Sequence, residues 1–173
     1  MASALPILEY PDPVLTHVCE DVEPSHLGAM QPFIDDLIYT MFASGGVGLA
    51  APQVGRNIRM FVIDQKPING DELADPWVFV NPKIEDLDGG IERRREGCLS
   101  FPGVFIYARR RKWVRVTALD RYGEEFTMDC TGSHLLSLCV QHENDHLDGK
   151  VMSEHADKKG ARAIEKWAKE RSR

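Results

Sequence analysis

Residues 133–147 of the chain read SHLLSLCVQHENDHL, a stretch that combines a helical pattern with a chemical motif. Its first half is almost wholly apolar, through Leu135, Leu136, Leu138, Cys139 and Val140. An apolar run of this length that is closed by Gly149 predicts a helix buried in the core. We therefore expect the rest of the fold to pack around this central helix.

The second half of the helix carries His142-Glu143-Asn144-Asp145-His146. Side chains four positions apart lie on the same face of a helix, so both imidazoles can reach one metal ion. Glu143 can reach a water on that ion without being a ligand itself. The alternative is a solvated polar face that carries two histidines by chance. Because the preceding turns are apolar, and charged groups are rarely buried unless they are paired or bind a metal, we favour the metal site.

A catalytic metal site needs a third protein ligand and an open position for water. Downstream, Met152 stands where some metalloproteases carry a third histidine, and it is a poor ligand for a hard hydrolytic metal. His155 lies outside that spacing, and Glu165 belongs to a charged helical segment. Upstream, Cys98 lies in the glycine-containing segment 96–100 (EGCLS). Spacing alone does not choose between these ligands.

The remaining sequence predicts a single α+β domain over residues 1–173. An N-terminal helix begins near Ser25 and ends at Gly45-Gly46, and residues 46–55 (GVGLAAPQVG) are interpreted as a shaped loop rather than a regular element. Short strands are expected at 58–64, 77–80, 104–107, 113–119 and 124–128, the last two joined by a turn at 121–123. A strand-like segment and a C-terminal helix follow the central helix. The order predicts antiparallel strands packed around that helix.

Composition and charge limit the kinds of function. The 173 residues are 43% hydrophobic and 28% charged, as expected for a globular domain, and the net charge of −6 argues against general nucleic-acid binding. Residues 157–173 hold seven Lys/Arg against three Asp/Glu, so this segment carries +4 and the rest −10. We interpret it as a solvated helix or as a docking element for an acidic, RNA-rich partner. Four irregularly spaced cysteines do not suggest a disulfide framework.

The same sequence predicts no membrane association. No apolar run approaches the ~20 residues that cross a bilayer, and the first ten residues lack the pattern of a secretory signal. The expected location is the cytoplasm.

Three stretches of the chain resemble the peptide deformylase family. They are residues 46–53 (GVGLAAPQ), 96–100 (EGCLS) and 141–147 (QHENDHL). They occur in the family's order, with every expected residue present. The similarity extends through residues 10–14, the first helix and residues 118–120, and therefore covers nearly the whole chain.

The resemblance implies removal of the formyl group from the N-terminal formylmethionine of newly made polypeptides, with release of formate. It implies one divalent metal, usually Fe²⁺ in the cell with Zn²⁺ or Ni²⁺ possible in purified protein, held by Cys98, His142 and His146. Water fills the fourth position, and Glu143 accepts its proton and later passes a proton to the departing amine. By the same resemblance, the Gln53 side-chain amide and the Leu99 backbone N–H stabilise the negative charge that develops on the formyl oxygen.

Further positions are assigned to substrate binding. The backbone near Val47 and Gly48 is expected to hydrogen-bond an extended peptide, since glycine allows a close approach. Leu138 and Cys139 precede His142 by about one turn, and we expect the methionine side chain to pack there. Both positions would also suit a plain core.

Charged residues around the motifs suggest supporting contacts. Asp145 is expected to point away from the metal, with Arg110 as its ion-pair partner, and Glu96 is expected to orient groups near Cys98 or His142. The run 93–95 (RRR) is interpreted as a solvated edge, with attraction of an acidic peptide as the alternative.

Two other functions are compatible with parts of the pattern. A metalloprotease acting on unformylated peptides would use the two histidines and Glu143 but would not need Cys98. A catalytically inactive metal-binding or ribosome-associated module would be expected to have lost catalytic residues, and none is substituted. The expected partners are formylmethionyl peptides, nascent chains and, through the basic C-terminal helix, the ribosome; no specific nucleic-acid sequence is expected.

Overall fold

The computed structural model describes residues 2–71 and 75–171. Met1, at the start of the predicted domain, and Ser172 and Arg173, at the end of the predicted basic segment, lie outside the described residues. The helices are α1 (Leu27–Ala43), α2 (Lys66–Asn69), α3 (His134–Leu147) and α4 (Lys158–Arg171). The strands are β1 (Gly48–Ala50), β2 (Met60–Ile63), β3 (Trp77–Asp86), β4 (Ile91–Gly97), β5 (Phe105–Arg111), β6 (Val114–Leu119) and β7 (Glu125–Asp129).

The strands form two antiparallel groups. Five of them make a sheet in the order β1-β2-β3-β6-β7, so β1 is an edge strand. The other two, β4 and β5, make a separate hairpin. Antiparallel strands around a central helix, with helices near both ends of the chain, confirm the predicted α+β fold.

Strand β2 shows how the sheet divides the core. All four of its residues are buried, and because side chains alternate along a strand, each face receives two of them. Phe61 and Ile63 pack in the cluster that contains α3. Met60 and Val62 pack in the cluster that contains α1. Burial of each such side chain stabilises the fold by about 1.5–3 kcal/mol. Because the two pairs of side chains pack in different clusters, α1 and α3 lie on opposite faces of the sheet.

Local signals set the ends of the central helix. The Ser133 side chain accepts a hydrogen bond from the Leu136 N–H at 3.3 Å, which caps the first turn of α3. At the other end, Gly149 has a φ of +69°, and a Cβ there would lie 2.7 Å from the Thr16 carbonyl oxygen. Only glycine meets both conditions, so the predicted stop is confirmed.

Helix α4 packs against β5, and the two elements share a third buried cluster. Ile164 and Trp167 are buried against Phe101 and Ile106. The Trp167 indole N–H also donates to the Pro102 carbonyl at 3.0 Å. The last helix therefore supports the segment that follows Cys98.

Several predicted elements differ from the structure. Residues 46–55 were predicted as a loop, which is wrong, because they contain β1 and a 3-10 turn at Ala51–Val54. The predicted strand-like segment before α4 is a 3-10 turn at Met152–His155. Strand β4 was not predicted. Strand β3 runs past Val80 because the chain bulges at Asn81, whose φ is +50°, and pairing then resumes. None of the helices described is both long and apolar enough to cross a membrane.

Candidate metal centre

Three potential metal ligands meet beside the C-terminal half of the buried helix. His142 and His146 lie one turn apart on α3, with ring centroids separated by 5.2 Å. Cys98 follows β4 directly, and its Sγ lies 3.3 Å from His146 Nε2. Ligand atoms of all three residues lie within 4.8 Å of one another, the single such group among residues 2–71 and 75–171.

The chemistry of these donors suits a transition metal. Zinc–thiolate and zinc–imidazole bonds of about 2.3 and 2.0–2.1 Å in a tetrahedron imply roughly 3.5 Å between sulfur and nitrogen, which the Cys98–His146 distance matches. Burial opposes ionisation of the thiol, but the charge of His146 and hydrogen bonds from both histidines lower the pKa of Cys98 to about 5. A thiolate with two imidazoles favours zinc or iron over magnesium or calcium.

The other candidates for the third metal ligand do not lie beside the two histidines. Met152 is buried in the cluster beneath α4. His155 lies with its Nε2 2.9 Å from an Asp145 carboxylate oxygen. Glu165 is exposed on α4. The structure therefore brings Cys98, and none of these three, to the histidine pair.

Glu143 lies buried beside the histidines. Its Oε2 has no hydrogen-bond partner among the described residues, and burial raises the pKa of its carboxyl to about 7. Strand β1 packs directly against it, because a Cβ on Gly48 would lie 2.6 Å from Glu143 Oε1 and 2.9 Å from its Cγ. A buried, unpartnered carboxylate oxygen is costly unless water or substrate contacts it.

Hydrogen bonds define which end of the Gln53 side-chain amide faces the potential metal ligands. Its Oε1 accepts from the Ala50 backbone N–H at 2.9 Å. Its Nε2 donates to Ser100 Oγ at 3.1 Å and approaches Cys98 Sγ at 3.4 Å. The contact with the Ala50 N–H identifies the carbonyl end, so the NH₂ group is directed at Ser100 and at Cys98, one of the potential metal ligands. Leu99 lies in the same segment as Cys98 and Ser100.

A cleft of about 510 Å³ opens over these groups. The predicted site residues along its walls are Val47, Gly48, Gln53, Cys98, Leu99, Leu138, Cys139, His142 and Glu143. The cleft is also lined by residues that were not predicted as site residues from the sequence, among them Leu135, Phe101, Val104, Arg95 and Phe105. Leu135 could have been found, since it lies one turn before Leu138 on the same helix. The others come from segments that only the fold brings together.

A larger cavity of about 730 Å³ lies elsewhere, beside α1 and the turn between β6 and β7. It is lined by residues such as Tyr39, Phe42 and Tyr122 and by none of the predicted site residues. Size alone therefore does not locate the chemistry, and the cleft with convergent polar groups is the better candidate.

Behind the histidines lies a buried network of charges. Glu96 Oε2 lies 3.3 Å from His142 Nδ1, and Arg110 contacts Glu96 at 3.0–3.3 Å. Arg110 also forms an ion pair with Asp145, as predicted. Burial works against the charge of Glu96, but His142 and Arg110 together lower the pKa of this carboxyl. Such contacts orient an imidazole that holds a metal.

Comparisons with known proteins agree on one family. The family model described as polypeptide deformylase matches residues 4–162. A peptide deformylase from Saccharophagus degradans is 45% identical over 151 residues, 87% of this chain and 84% of that protein. One from Teredinibacter turnerae is 42% identical over 97% of this chain and 98% of its own.

Solved structures give the same result. A crystal structure of a peptide deformylase from Legionella pneumophila is similar with a TM-score of 0.83 and 35% identity, covering 99% of both chains. A peptide deformylase from Synechococcus elongatus in complex with actinonin gives a TM-score of 0.86 at 35% identity, over 95% of this chain and 88% of that one.

Proposed function

The chain belongs to the peptide deformylase family, and we propose that the centre formed by Cys98, His142 and His146 is where it removes the formyl group from formylmethionyl peptides. It is accordingly a metal-dependent hydrolase that acts on the N-formyl group of nascent chains and releases formate. One observation carries the assignment of the site. Ligand atoms of Cys98, His142 and His146 lie within 4.8 Å of one another, and Cys98, His142, Glu143 and Gln53 line a single cleft.

The proposed metal is Fe²⁺, with Zn²⁺ or Ni²⁺ able to occupy the same ligands in purified protein. The support is the donor set, since one thiolate and two imidazoles suit each of these ions. When bound, the ion supplies a Lewis acid that lowers the pKa of a water at its open position and polarises the formyl oxygen.

Glu143 is proposed to move the proton. Its buried carboxylate accepts a proton from the attacking water as the water oxygen bonds to the formyl carbon. When the carbon–nitrogen bond breaks, the same carboxyl delivers a proton to the departing amine. Two observations support this role: the unpartnered Oε2 is an acceptor left free for a water, and the close packing against Gly48 restricts where the carboxyl can move.

Gln53 and Leu99 are proposed to stabilise the developing oxyanion. The amide NH₂ of Gln53 is directed at the ligands by the bond that holds its carbonyl end, so no reorganisation is needed as charge develops. The Leu99 N–H follows Cys98 in the chain and would donate from the same side. Loss of one such donor typically costs about 10²–10³ in kcat.

The substrate peptide is proposed to lie extended along β1. This strand is at the edge of the sheet, and Val47 and Gly48 line the cleft, so their backbone groups can pair with a peptide as an added strand. The methionine side chain would pack against Leu138 and Cys139, with Leu135 extending the same apolar surface.

Neither alternative function is favoured. A metalloprotease has no relative among the proteins reported above, and an inactive module does not fit a centre in which every proposed catalytic group is present. We further propose that the enzyme works in the cytoplasm beside the ribosome, with the basic face of α4 as the docking element, because nascent chains are its substrates.

The test compares formate release from a formyl-Met-Ala peptide with cleavage of its unformylated form, using iron-loaded protein kept anaerobic. We expect formate from the first and no cleavage of the second. Cleavage that ignores the formyl group would support the protease instead.

Two variants separate metal binding from proton transfer. Cys98→Ala should lose tightly bound metal, whereas Glu143→Ala should keep the metal and lose at least about 100-fold in turnover. Elemental analysis measures the metal content of each variant, and the formate assay measures its turnover. Equal metal content in wild type and Cys98→Ala would place the third ligand elsewhere.

A further inference from the structure

The outward face of the β4–β5 hairpin is unusually basic. Because side chains alternate along a strand, Arg93 and Arg95 of β4 share this exposed face with Arg109 and with two aromatic residues of β5, Phe105 and Tyr107. The inward positions between them are buried or half-buried. The face begins at the rim of the catalytic cleft, where Arg95 and Phe105 are both lining residues.

Arg95 is held in place on this rim. Its guanidinium lies over the Phe105 ring, 4.2 Å from the centroid. The ring in turn lies across Gly97, where a Cβ would be 2.8 Å from Phe105 Cε1. The absence of a side chain at Gly97 therefore lets the ring lie flat on β4, close to Cys98, and the ring supports the cation above it.

The arginines of this hairpin differ in whether an acidic side chain already pairs with them. Arg93 pairs with Asp157, and Arg111 at the far end pairs with Asp86. Arg95 has no acidic partner among residues 2–71 and 75–171, and it is exposed. The nearby cleft carboxyls are buried at the centre, where Glu96 is engaged by Arg110 and His142.

We propose that Arg95 is a specificity-determining residue that favours formylated peptides with Asp or Glu shortly after the methionine. Arg95 precedes the Cys98 ligand by three residues of extended chain, about 10 Å, which equals about three residues of a bound peptide. An acidic side chain within the first three residues after the methionine therefore reaches the unpaired guanidinium. This inference rests on the proposed function of the cleft.

This assignment separates Arg95 from the other two arginines of the 93–95 run. Arg93 is engaged with Asp157, and Arg94 contacts Glu92 on the inward side. Arg95 alone of the three lines the cleft. The sequence suggests a solvated edge for this run, with attraction of an acidic peptide as the alternative; the exposed Arg95 fits both, and we adopt the alternative for this residue.

The experiment measures kcat/KM for formyl-Met-Ala-Glu, formyl-Met-Ala-Gln and formyl-Met-Ala-Lys amides, and for the same set with the variable residue directly after methionine. We expect the acidic peptide to exceed the neutral one by about fivefold in wild type, mostly through KM, since a partly exposed ion pair contributes about 1 kcal/mol at most. The preference should shrink as salt is raised.

Substitutions test whether Arg95 is the residue that causes this preference. Arg95→Gln should reduce the ratio of acidic to neutral peptide to about one, and Arg95→Glu should favour the lysine peptide. Arg109→Gln removes the same charge from the same face but away from the cleft, and it should leave the ratio unchanged. A wild-type ratio near one, or a ratio that Arg95→Gln does not alter, would overturn the inference. Failure to release formate even from the neutral peptide would instead contradict the function proposed for the cleft.

Discussion

The four cysteines of the chain differ in acidity because their surroundings differ. Burial raises the pKa of the Cys19 thiol to about 11 and that of Cys130 to about 12, and it raises the pKa of Cys139 as well. Burial also opposes ionisation at Cys98, but the charge of His146 and hydrogen bonds from both histidines bring its pKa to about 5. Since the thiolate is the nucleophile, the lowered pKa predicts that Cys98 is the most reactive of the four thiols near neutral pH.

We therefore expect iodoacetamide at pH 7 to modify Cys98 first in metal-free protein, with the other three reacting only on unfolding. Bound metal should protect Cys98. Peptide mass spectrometry over a time course measures each site. Labelling of Cys130 as fast as Cys98 in folded, metal-free protein would contradict this ranking.

Gly48 controls the position of the Glu143 carboxyl, the proposed proton acceptor. A Cβ at this position would lie 2.6 Å from Glu143 Oε1, so Gly48→Ala must displace Glu143. A displacement of about 1 Å can cost about 10²-fold, and we expect kcat to fall by that order while the metal content stays unchanged. Gly28→Ala is the matched control, since a Cβ there meets nothing within 4 Å and alanine favours a helix. A Gly48→Ala enzyme with normal kcat would show that Glu143 has more room than the packing indicates.

At the scale of elements, one buried arginine joins three segments. Arg110 on β5 contacts Glu96 on β4 and Asp145 on α3, and Glu96 contacts His142. Arg110→Met would leave the buried Glu96 and the half-buried Asp145 without their shared cation. We expect about 3–5 kcal/mol of lost unfolding free energy in urea, together with a 10–100-fold weaker affinity for zinc.

The neighbouring Arg109→Met is the control for this experiment. It removes the same charge from an exposed position of the same strand, and it should change the unfolding free energy by less than about 0.5 kcal/mol. Equal unfolding curves for the two variants would show that the network contributes no stability.

The same network explains why strand β4 was not predicted from the sequence. Strand β4 alternates as a strand should, but its inward residues are Glu92, Arg94 and Glu96 rather than apolar ones. Hydrophobic periodicity therefore gives no signal there, because the partners that allow burial, such as Arg110, lie on other elements. Strand β1 has three residues, and its flanking glycines suggest a loop.

The central helix and the two proposed histidine ligands were predictable for the opposite reason. The apolar run, the Ser133 cap and the spacing of His142 and His146 are local features of one helix. Cys98 was predicted as a ligand only because the segment around it resembles the family. Phe101 and Val104, by contrast, reach the cleft through a turn whose path depends on the packing of α4.

Across the whole molecule, α4 has two faces with different tasks. Ile164 and Trp167 are buried against the segment that follows Cys98, so removing the helix would disturb the proposed catalytic cleft as well as any docking. The exposed face carries Arg162 and Lys169, among other basic residues. A test of ribosome docking should therefore change the exposed charges and keep the buried side chains.

We expect the double variant Arg162→Glu and Lys169→Glu to lose most co-sedimentation with ribosomes at low salt while it keeps formate release from a short peptide. The reason is electrostatic, since a surface that binds RNA-rich particles depends on cations whose effect salt screens. The matched control reverses Lys83 and Arg109, two exposed basic residues on other elements, and so changes the net charge equally. If both double variants co-sediment like wild type, α4 is a solvated helix; if both lose binding equally, overall charge rather than α4 governs the association.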